Sequence, residues 1–367
     1  AWLGDVLGLR DLALGIGLCA GPKSLRTAAA ASREVSQAVM GVLGAVTENC
    51  PQPIFIFGGS DGSRVLGSVE RFSPLASTSA SVAASAAAGC SGLWELLPLT
   101  SEPRVSATGT AVAGQLFVCG GWHEQQPSAS IERFDPITGI WEDMPPMAVA
   151  RGAATSAAIS GRLLVCGGFD AGMQALDSAE YFDVTMGCWE ALPPMQRPRG
   201  SPAAASLGGA IYVCGGYDSQ YHPQRSVERL RMTTRTAGGG PDPDLAWEAV
   251  PDMRDSRAGA AAASLAQRIF VCGGRSLVNG GGGGGGEGLR SAEHFDEKAG
   301  LWEPVAPMLE GRANSAFAVT GGRLYLFGGR DGRQLNSAEV FDPRTGAWTA
   351  LPSMSERRTD ATAVAVV

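Results

Sequence analysis

Residues 151–199 read RGAATSAAISGRLLVCGGFDAGMQALDSAEYFDVTMGCWEALPPMQRPR. Four landmarks stand out: Arg151, the pair Gly167-Gly168, the triplet Ser178-x-Glu180, and Trp189, which is followed 10 residues later by the next Arg, Arg199. The set recurs on both sides. Gly-Gly pairs begin at Gly58, Gly120, Gly167, Gly215, Gly273 and Gly328, and each is followed by a Ser-x-Glu ending at Glu70, Glu132, Glu180, Glu228, Glu293 or Glu339. The tryptophans are Trp94, Trp141, Trp189, Trp247, Trp302 and Trp348, and ten residues after them stand Arg104, Arg151, Arg199, Arg257, Arg312 and Arg358. Self-similarity at a fixed period is the mark of a repeat architecture.

The spacings separate packed pieces from loops. Trp to Arg is always 10 residues and Arg to the next Gly pair always 16, so that stretch tolerates no insertion. Glu to Trp is 9 in four copies, but 24 in the first, through Ala76 to Gly89, and 19 in the fourth, through Gly238 to Asp244. The fifth copy lengthens from Gly pair to Glu, where Gly280 to Gly286 form a run. Rigid segments are strands, and elastic ones are surface loops.

Each repeat reads as four strands: a small-residue segment after the Arg (Ala153 to Ile159), an apolar run into the Gly pair (Leu163 to Cys166), a third carrying Ser-x-Glu and an aromatic, and a fourth holding the Trp. Turns such as Asp135-Pro136-Ile137-Thr138-Gly139 and Asp342-Pro343-Arg344-Thr345-Gly346 join the last two, with Pro presetting φ and Gly supplying a positive one. Isolated four-stranded sheets expose both faces, so a closed ring is needed to bury them all. The expected fold is therefore all-β: a six-bladed β-propeller with four antiparallel strands per blade.

The Gly-Gly, Ser-x-Glu-x-aromatic-Asp, Trp, Pro-Met and Arg pattern resembles the kelch-repeat family over about Pro51 to Val367. Departures are small: the first blade lacks the Asp-Pro turn, and the fourth has Leu230 at the aromatic position. No Arg stands 16 residues before Gly58, and Arg358 is followed by a strand-like Ala361 to Val367 with no second strand after it. The C-terminal strand is expected to complete the first blade, as in kelch propellers that close by joining their two ends; Met40 to Val46 is the alternative. Residues 1–50 read as a lead-in, partly helical or disordered, and as the tail of an upstream domain.

Bulk composition narrows the function. The 367 residues are 44% apolar and 18% charged, with 51 Gly and a net charge of −7, which disfavours nucleic acid as a partner. No uncharged run is long enough to span a membrane. Of eight cysteines, Cys119, Cys166, Cys214 and Cys272 directly precede Gly pairs, so they read as buried thiols rather than disulfides, which fits a reducing, cytoplasmic setting.

Some kelch propellers resemble copper-radical sugar oxidases and others sialic-acid epimerases, but the chain has three His, at 123, 222 and 294. Tyr217, Tyr221 and His222 are the nearest approach to a metal cluster and read better as loop aromatics; no metal, cofactor or catalytic residue is expected. The Gly280 to Gly286 run lacks the Lys-Ser/Thr of a phosphate loop. A protein-binding role has more behind it. Loops after the Gly pairs should share one face, and they offer Trp122, His123, Phe169, Tyr217, Tyr221, His222 and Arg330, with Arg275 and Ser60 at equivalent places. Aromatics and Arg are what binding hot spots favour. The repeated Arg104, Arg151, Arg199, Arg257, Arg312 and Arg358 have two readings. They either hydrogen-bond the repeated Glu or adjoining backbone, or, as the resemblance to BTB–kelch ubiquitin-ligase adaptors implies, grip an acidic peptide. The resemblance also implies a substrate-receptor role, with an actin-linked scaffold or a sugar-active enzyme as alternatives.

Overall fold

The computed structural model describes residues 51–74, 92–232, 245–276 and 287–366. The expectations placed on residues 1–50, on the insertions 76–89 and 238–244, and on the glycine run 280–286 lie outside the described residues.

Six four-stranded antiparallel sheets make the blades. From innermost to outermost strand, blade 3 runs Thr155–Ile159, Arg162–Cys166, Ala179–Asp183 and Cys188–Leu192. Blade 2 is built from Thr108–Val112, Gln115–Cys119, Ile131–Asp135 and Ile140–Met144, and blades 4, 5 and 6 repeat the plan. Blade 1 takes its inner strand, Thr362–Ala365, from the far end of the chain. That strand pairs antiparallel with Ile54–Phe57 in the register Ile54↔Ala365 to Phe57↔Thr362, so the C-terminal strand closes the ring. Successive innermost strands are neighbours in a cycle, blade 6 against blade 1 included.

The alternation of strand residues puts an apolar layer in every blade seam. At the closing seam Ile54, Ile56 and Phe72 of blade 1 pack with Tyr325, Phe327 and Val340 of blade 6. The repeated Trp sits at the outer end of each seam. The indole N–H of Trp189 donates to the Pro145 carbonyl of the preceding blade at 2.9 Å, Trp247 to Pro193 at 2.8 Å, Trp302 to Pro251 at 2.8 Å, and Trp94 across the closure to Pro352 at 3.1 Å. The aromatic thus supplies buried area and a polar latch. Leu230, the departure in blade 4, fills the aromatic site opposite Trp247 and is fully buried. In the outer hairpins the Asp135 carboxylate accepts from the Ile137 N–H at 2.8 Å, and Asp183, Asp296 and Asp342 cap their turns likewise. These backbone donors hold the Asp135 carboxyl below its ordinary range.

Candidate functional site

One end of the central channel is built from the segment after each repeated Arg and the loop after each Gly pair. The six Arg side chains organise it. Arg151 opens blade 3: its Nη1 donates to the Gly167 and Ser178 carbonyls, both at 2.9 Å, and its Nη2 to Glu180 at 3.1 Å. Its own carbonyl accepts from the Gly121 N–H of blade 2 at 2.8 Å. Each Arg therefore ties one blade's Gly pair through its backbone to the next blade's Gly pair and Glu through its side chain. Arg199–Glu228, Arg257–Glu293, Arg312–Glu339, Arg104–Glu132 and Arg358–Glu70 repeat the clamp around the ring. All six Arg residues are 0–3% exposed. This corrects one of the two readings: Arg104, Arg151, Arg199, Arg257, Arg312 and Arg358 are buried in sites closed to solvent, and their donors, Arg104 Nε excepted, are turned to the chain itself.

Two residues beyond each Arg, the backbone turns into the left-handed region at Ser106, Ala153, Ser201, Gly259, Asn314 and Asp360, with φ between 49° and 61°. Their peptides form a closed ring of hydrogen bonds about the axis. Ala153 N–H donates to Ser106 O, Ser201 to Ala153, Gly259 to Ser201, Asn314 to Gly259, Asp360 to Asn314 and Ser106 back to Asp360, at 2.8–3.0 Å. The innermost strands beyond this ring line a cavity of about 260 Å³, faced largely by Ala, Ser and Thr. Asp360 gives the ring its one carboxylate, which accepts from Ser106 Oγ at 2.9 Å, Asn314 Nδ2 at 2.7 Å and Thr359 Oγ1 at 3.0 Å. Burial raises its carboxyl above the ordinary value, against the pull of those donors and of the Arg275 charge.

A second ring lies outside the first. Ser60, Trp122, Phe169, Tyr217, Arg275 and Arg330, the residues after the six Gly pairs, bridge by backbone to Thr359, Val105, Gly152, Gly200, Ala258 and Ala313. Trp122 and Phe169 lie across the seam to the following blade: a Cβ on Gly152 would stand 2.0 Å from the Trp122 indole, and one on Gly200 2.0 Å from the Phe169 ring. Phe169 is itself covered. Tyr221 stacks on it at 5.6 Å and 17°, stands 6.3 Å from Tyr217, and donates its hydroxyl to the Met173 carbonyl at 2.7 Å. Tyr221 is 45% exposed and holds φ +60°, a costly conformation for an aromatic residue. His123 turns Nδ1 to the Pro103 carbonyl at 3.1 Å, and His222 lies exposed with Nδ1 3.5 Å from Asp218 Oδ2.

With this geometry in hand, the comparisons decide the family. The kelch motif matches residues 103–148, 150–196, 198–236, 256–309 and 311–355, each starting one residue before a clamp Arg. The chain belongs to the kelch-repeat family. The kelch motif does not match blade 1, whose strands come from opposite ends of the chain. Among solved structures, the one titled "Structure of YjhT" superposes with a TM-score of 0.62 over 80% of this chain and 96% of that one, at 14% identity. No curated protein matches the chain in sequence.

The kelch propeller separates the histidines: His123 is on blade 2, His222 on blade 4, and His294 in the third strand of blade 5 beside Phe270 and Glu303. Among the described residues no three His, Cys, Asp or Glu side chains converge on one point, and no helix is long and apolar enough to cross a membrane. Cys119, Cys166, Cys214 and Cys272 are free and buried, as expected of repeated small hydrophobes, while Cys188 is exposed. Sequence reasoning missed Asp360, Asn314 and Ser106. The signal was present: two residues after each Arg, the repeats carry Ser, Ala, Ser, Gly, Asn and Asp, a position where no single residue type recurs throughout.

Proposed function

We propose that this kelch propeller holds a segment of a partner protein across the mouth lined by the residues after the six Gly pairs, without transforming it. One observation carries the reading. The Arg–Glu clamp recurs in all six blades and the indole latch in five of them, whereas Ser60, Trp122, Phe169, Tyr217, Arg275 and Arg330 occupy equivalent places with different chemistries. The blade does not require those identities, and a rim where Tyr221 is exposed and Trp122, Tyr217, Arg275 and Arg330 are half-buried, with Phe169 covered beneath Tyr221, suits recognition. A substrate-receptor role in a ubiquitin ligase extends the reading on family resemblance alone, and partner-specific ubiquitylation in cells would test that extension. The docking site is tested by a photo-crosslinking amino acid placed at Tyr221, at Trp122, and at Ile137 on a turn of an outer hairpin. Partner adducts should form from the first two positions and not from the third. Equal labelling at Ile137 would remove the mouth from the account.

A further inference from the structure

The six residues two places after the clamp arginines share a backbone conformation, but four of them act together through their side chains. Going round the inner ring, blades 5, 6, 1 and 2 contribute Gly259, Asn314, Asp360 and Ser106. A Cβ on Gly259 would collide with Asn314 Oδ1, so the missing side chain is what lets the amide lie across blade 5. Asn314 Nδ2 and Ser106 Oγ both donate to Asp360 Oδ1, and Thr359 Oγ1 donates to Oδ2. Two acceptors are left over. A carboxylate offers about four acceptor positions, so Asp360 keeps one. Because Asn314 spends Nδ2 on Asp360, its Oδ1 is left as an acceptor, and it receives no donor from the described residues.

Asn314 and Asp360 belong to the wall of a pocket of about 100 Å³ that runs from the inner ring to Phe317. Among the described residues lining it, Asp360 carries the only charge and Phe317 the only aromatic ring. The blades do not need that ring: at the same place, five residues after the clamp Arg, they carry Gly109, Ser156, Ala204, Ala262 and Ala363. No Lys, Arg or His among the described residues comes within ion-pair distance of Asp360, and Arg275 acts on it from farther off. The pocket therefore combines a carboxylate without a counter-ion, an unused amide oxygen and an aromatic face, in the space of about three water molecules. A primary ammonium answers all three. Its N–H groups suit the two acceptors, its charge pairs with Asp360, and the Phe317 ring attracts a cation. A guanidinium brings five donors in a rigid plane, more than these acceptors satisfy.

We infer that this axial pocket takes the ammonium group of a lysine side chain, presented by the partner segment that crosses the mouth. The ammonium donates to Asp360 and Asn314 Oδ1 and lies against Phe317, and its unbranched stem passes through the inner ring. The inference rests on the docking reading above and adds the residue that anchors the occupant at the axis.

Saturation-transfer NMR with the whole chain tests it, using n-butylamine, which reproduces the end of a lysine side chain, beside n-butanol and butyrate. The amine should bind and the other two should not. Asp360→Asn, whose amide oxygen still accepts from Ser106 and Asn314, should weaken the amine about ten- to a hundredfold, the scale of a charge-assisted hydrogen bond. Phe317→Ala, which installs the residue that blades 4 and 5 carry there, should weaken it about two- to fivefold. Arg275→Ala should tighten it, because a like charge is removed. Peptides selected on the whole chain from a random library displayed on phage should carry Lys, be displaced by n-butylamine, and bind about ten- to a hundredfold more weakly once that Lys is acetylated, which removes its charge. If Asp360→Asn does not fold, the acetylated and unmodified peptides on wild-type protein supply the readout. Butanol or butyrate binding as well as the amine, affinities indifferent to Asp360 or to acetylation, or selected peptides without Lys would overturn the inference. Partner crosslinking at Tyr221 and Trp122 that ignores acetylation would leave the docking site standing and remove this anchor. Failure of the crosslinking as well would remove the docking site itself.

Discussion

Arg358 and Glu70 are 288 residues apart in the chain and 2.9 Å apart in space. The pair is the same clamp that joins Arg199 to Glu228 within the chain's middle, yet here it spans the only break in the circle. Neither side chain is more than 1% exposed. The guanidinium also reaches the Gly58 carbonyl at 2.9 Å and Ser68 Oγ at 2.8 Å, so nearly all its donors are satisfied by blade 1.

Removing one partner leaves a buried charge without its counter-ion, which costs about 3–5 kcal/mol, whereas replacing both by apolar residues of similar volume costs much less. Arg358→Ala should therefore destabilise the protein by that amount in urea unfolding, and Arg358→Met/Glu70→Leu by clearly less. Arg199→Ala should match Arg358→Ala, because the closing clamp has the same partners as an internal one. An Arg358→Ala protein within about 1 kcal/mol of wild type would show that the pair does not hold the ring.

Gly328 and Gly346 share a positive φ, 59° and 66°, but not an environment. A Cβ on Gly328 would stand 2.2 Å from the Arg358 carbonyl oxygen, part of a backbone fixed by the clamp, whereas one on Gly346 meets nothing within 4 Å. Gly346→Ala should cost about 1–2 kcal/mol, the left-handed penalty alone. Gly328→Ala adds overpacking against immobile backbone and should lose about 3 kcal/mol or more. Thermal unfolding of the two variants separates the effects, and equal losses would sink the close-approach account of the Gly pairs.

Repetition made the scaffold legible, because each landmark was read six times in the same order, with Trp-to-Arg and Arg-to-Gly-Gly spacings that never change. At the six Arg residues it left two readings open, pairing with the repeated Glu or gripping a partner, and the fold selects the first: Glu180 or Glu70 returns from 29 or 288 residues away to bury the guanidinium. The ring closure was readable because Arg358 had no second strand after it. Asp360 was hidden by its setting: it precedes a strand of small residues, and its role depends on Ser106 and Asn314 converging from other blades. Tyr221 was visible as a loop aromatic, but its stacking on Phe169 and its hydrogen bond to the Met173 carbonyl follow from contact between two blades' loops. What a blade needs is written locally, and what two blades make together is not.

The repeated cysteines carry a pH signature of the same packing. Cys119, Cys166, Cys214 and Cys272 end the second strands of blades 2 to 5, and burial pushes each thiol from 9.0 to about 12. The folded chain thus keeps protons that the unfolded chain releases above about pH 9. The stabilisation from the neutral thiols is complete below that point and falls as pH rises toward 12, by about 1.4 kcal/mol per pH unit for each thiol in that window. Urea midpoints measured from neutral pH to about pH 10 should decline, and Cys214→Ala should make the decline shallower than in wild type. The same burial governs reactivity, since the thiolate is the nucleophile. Iodoacetamide should modify Cys188 in the native protein and reach Cys166 and Cys214 only as the blades open, so their labelling rates should follow unfolding as urea is raised. Native labelling of Cys166 as fast as that of Cys188 would mean that the second strands are not sealed in the seams, and the packing argument for the ring would fail with them.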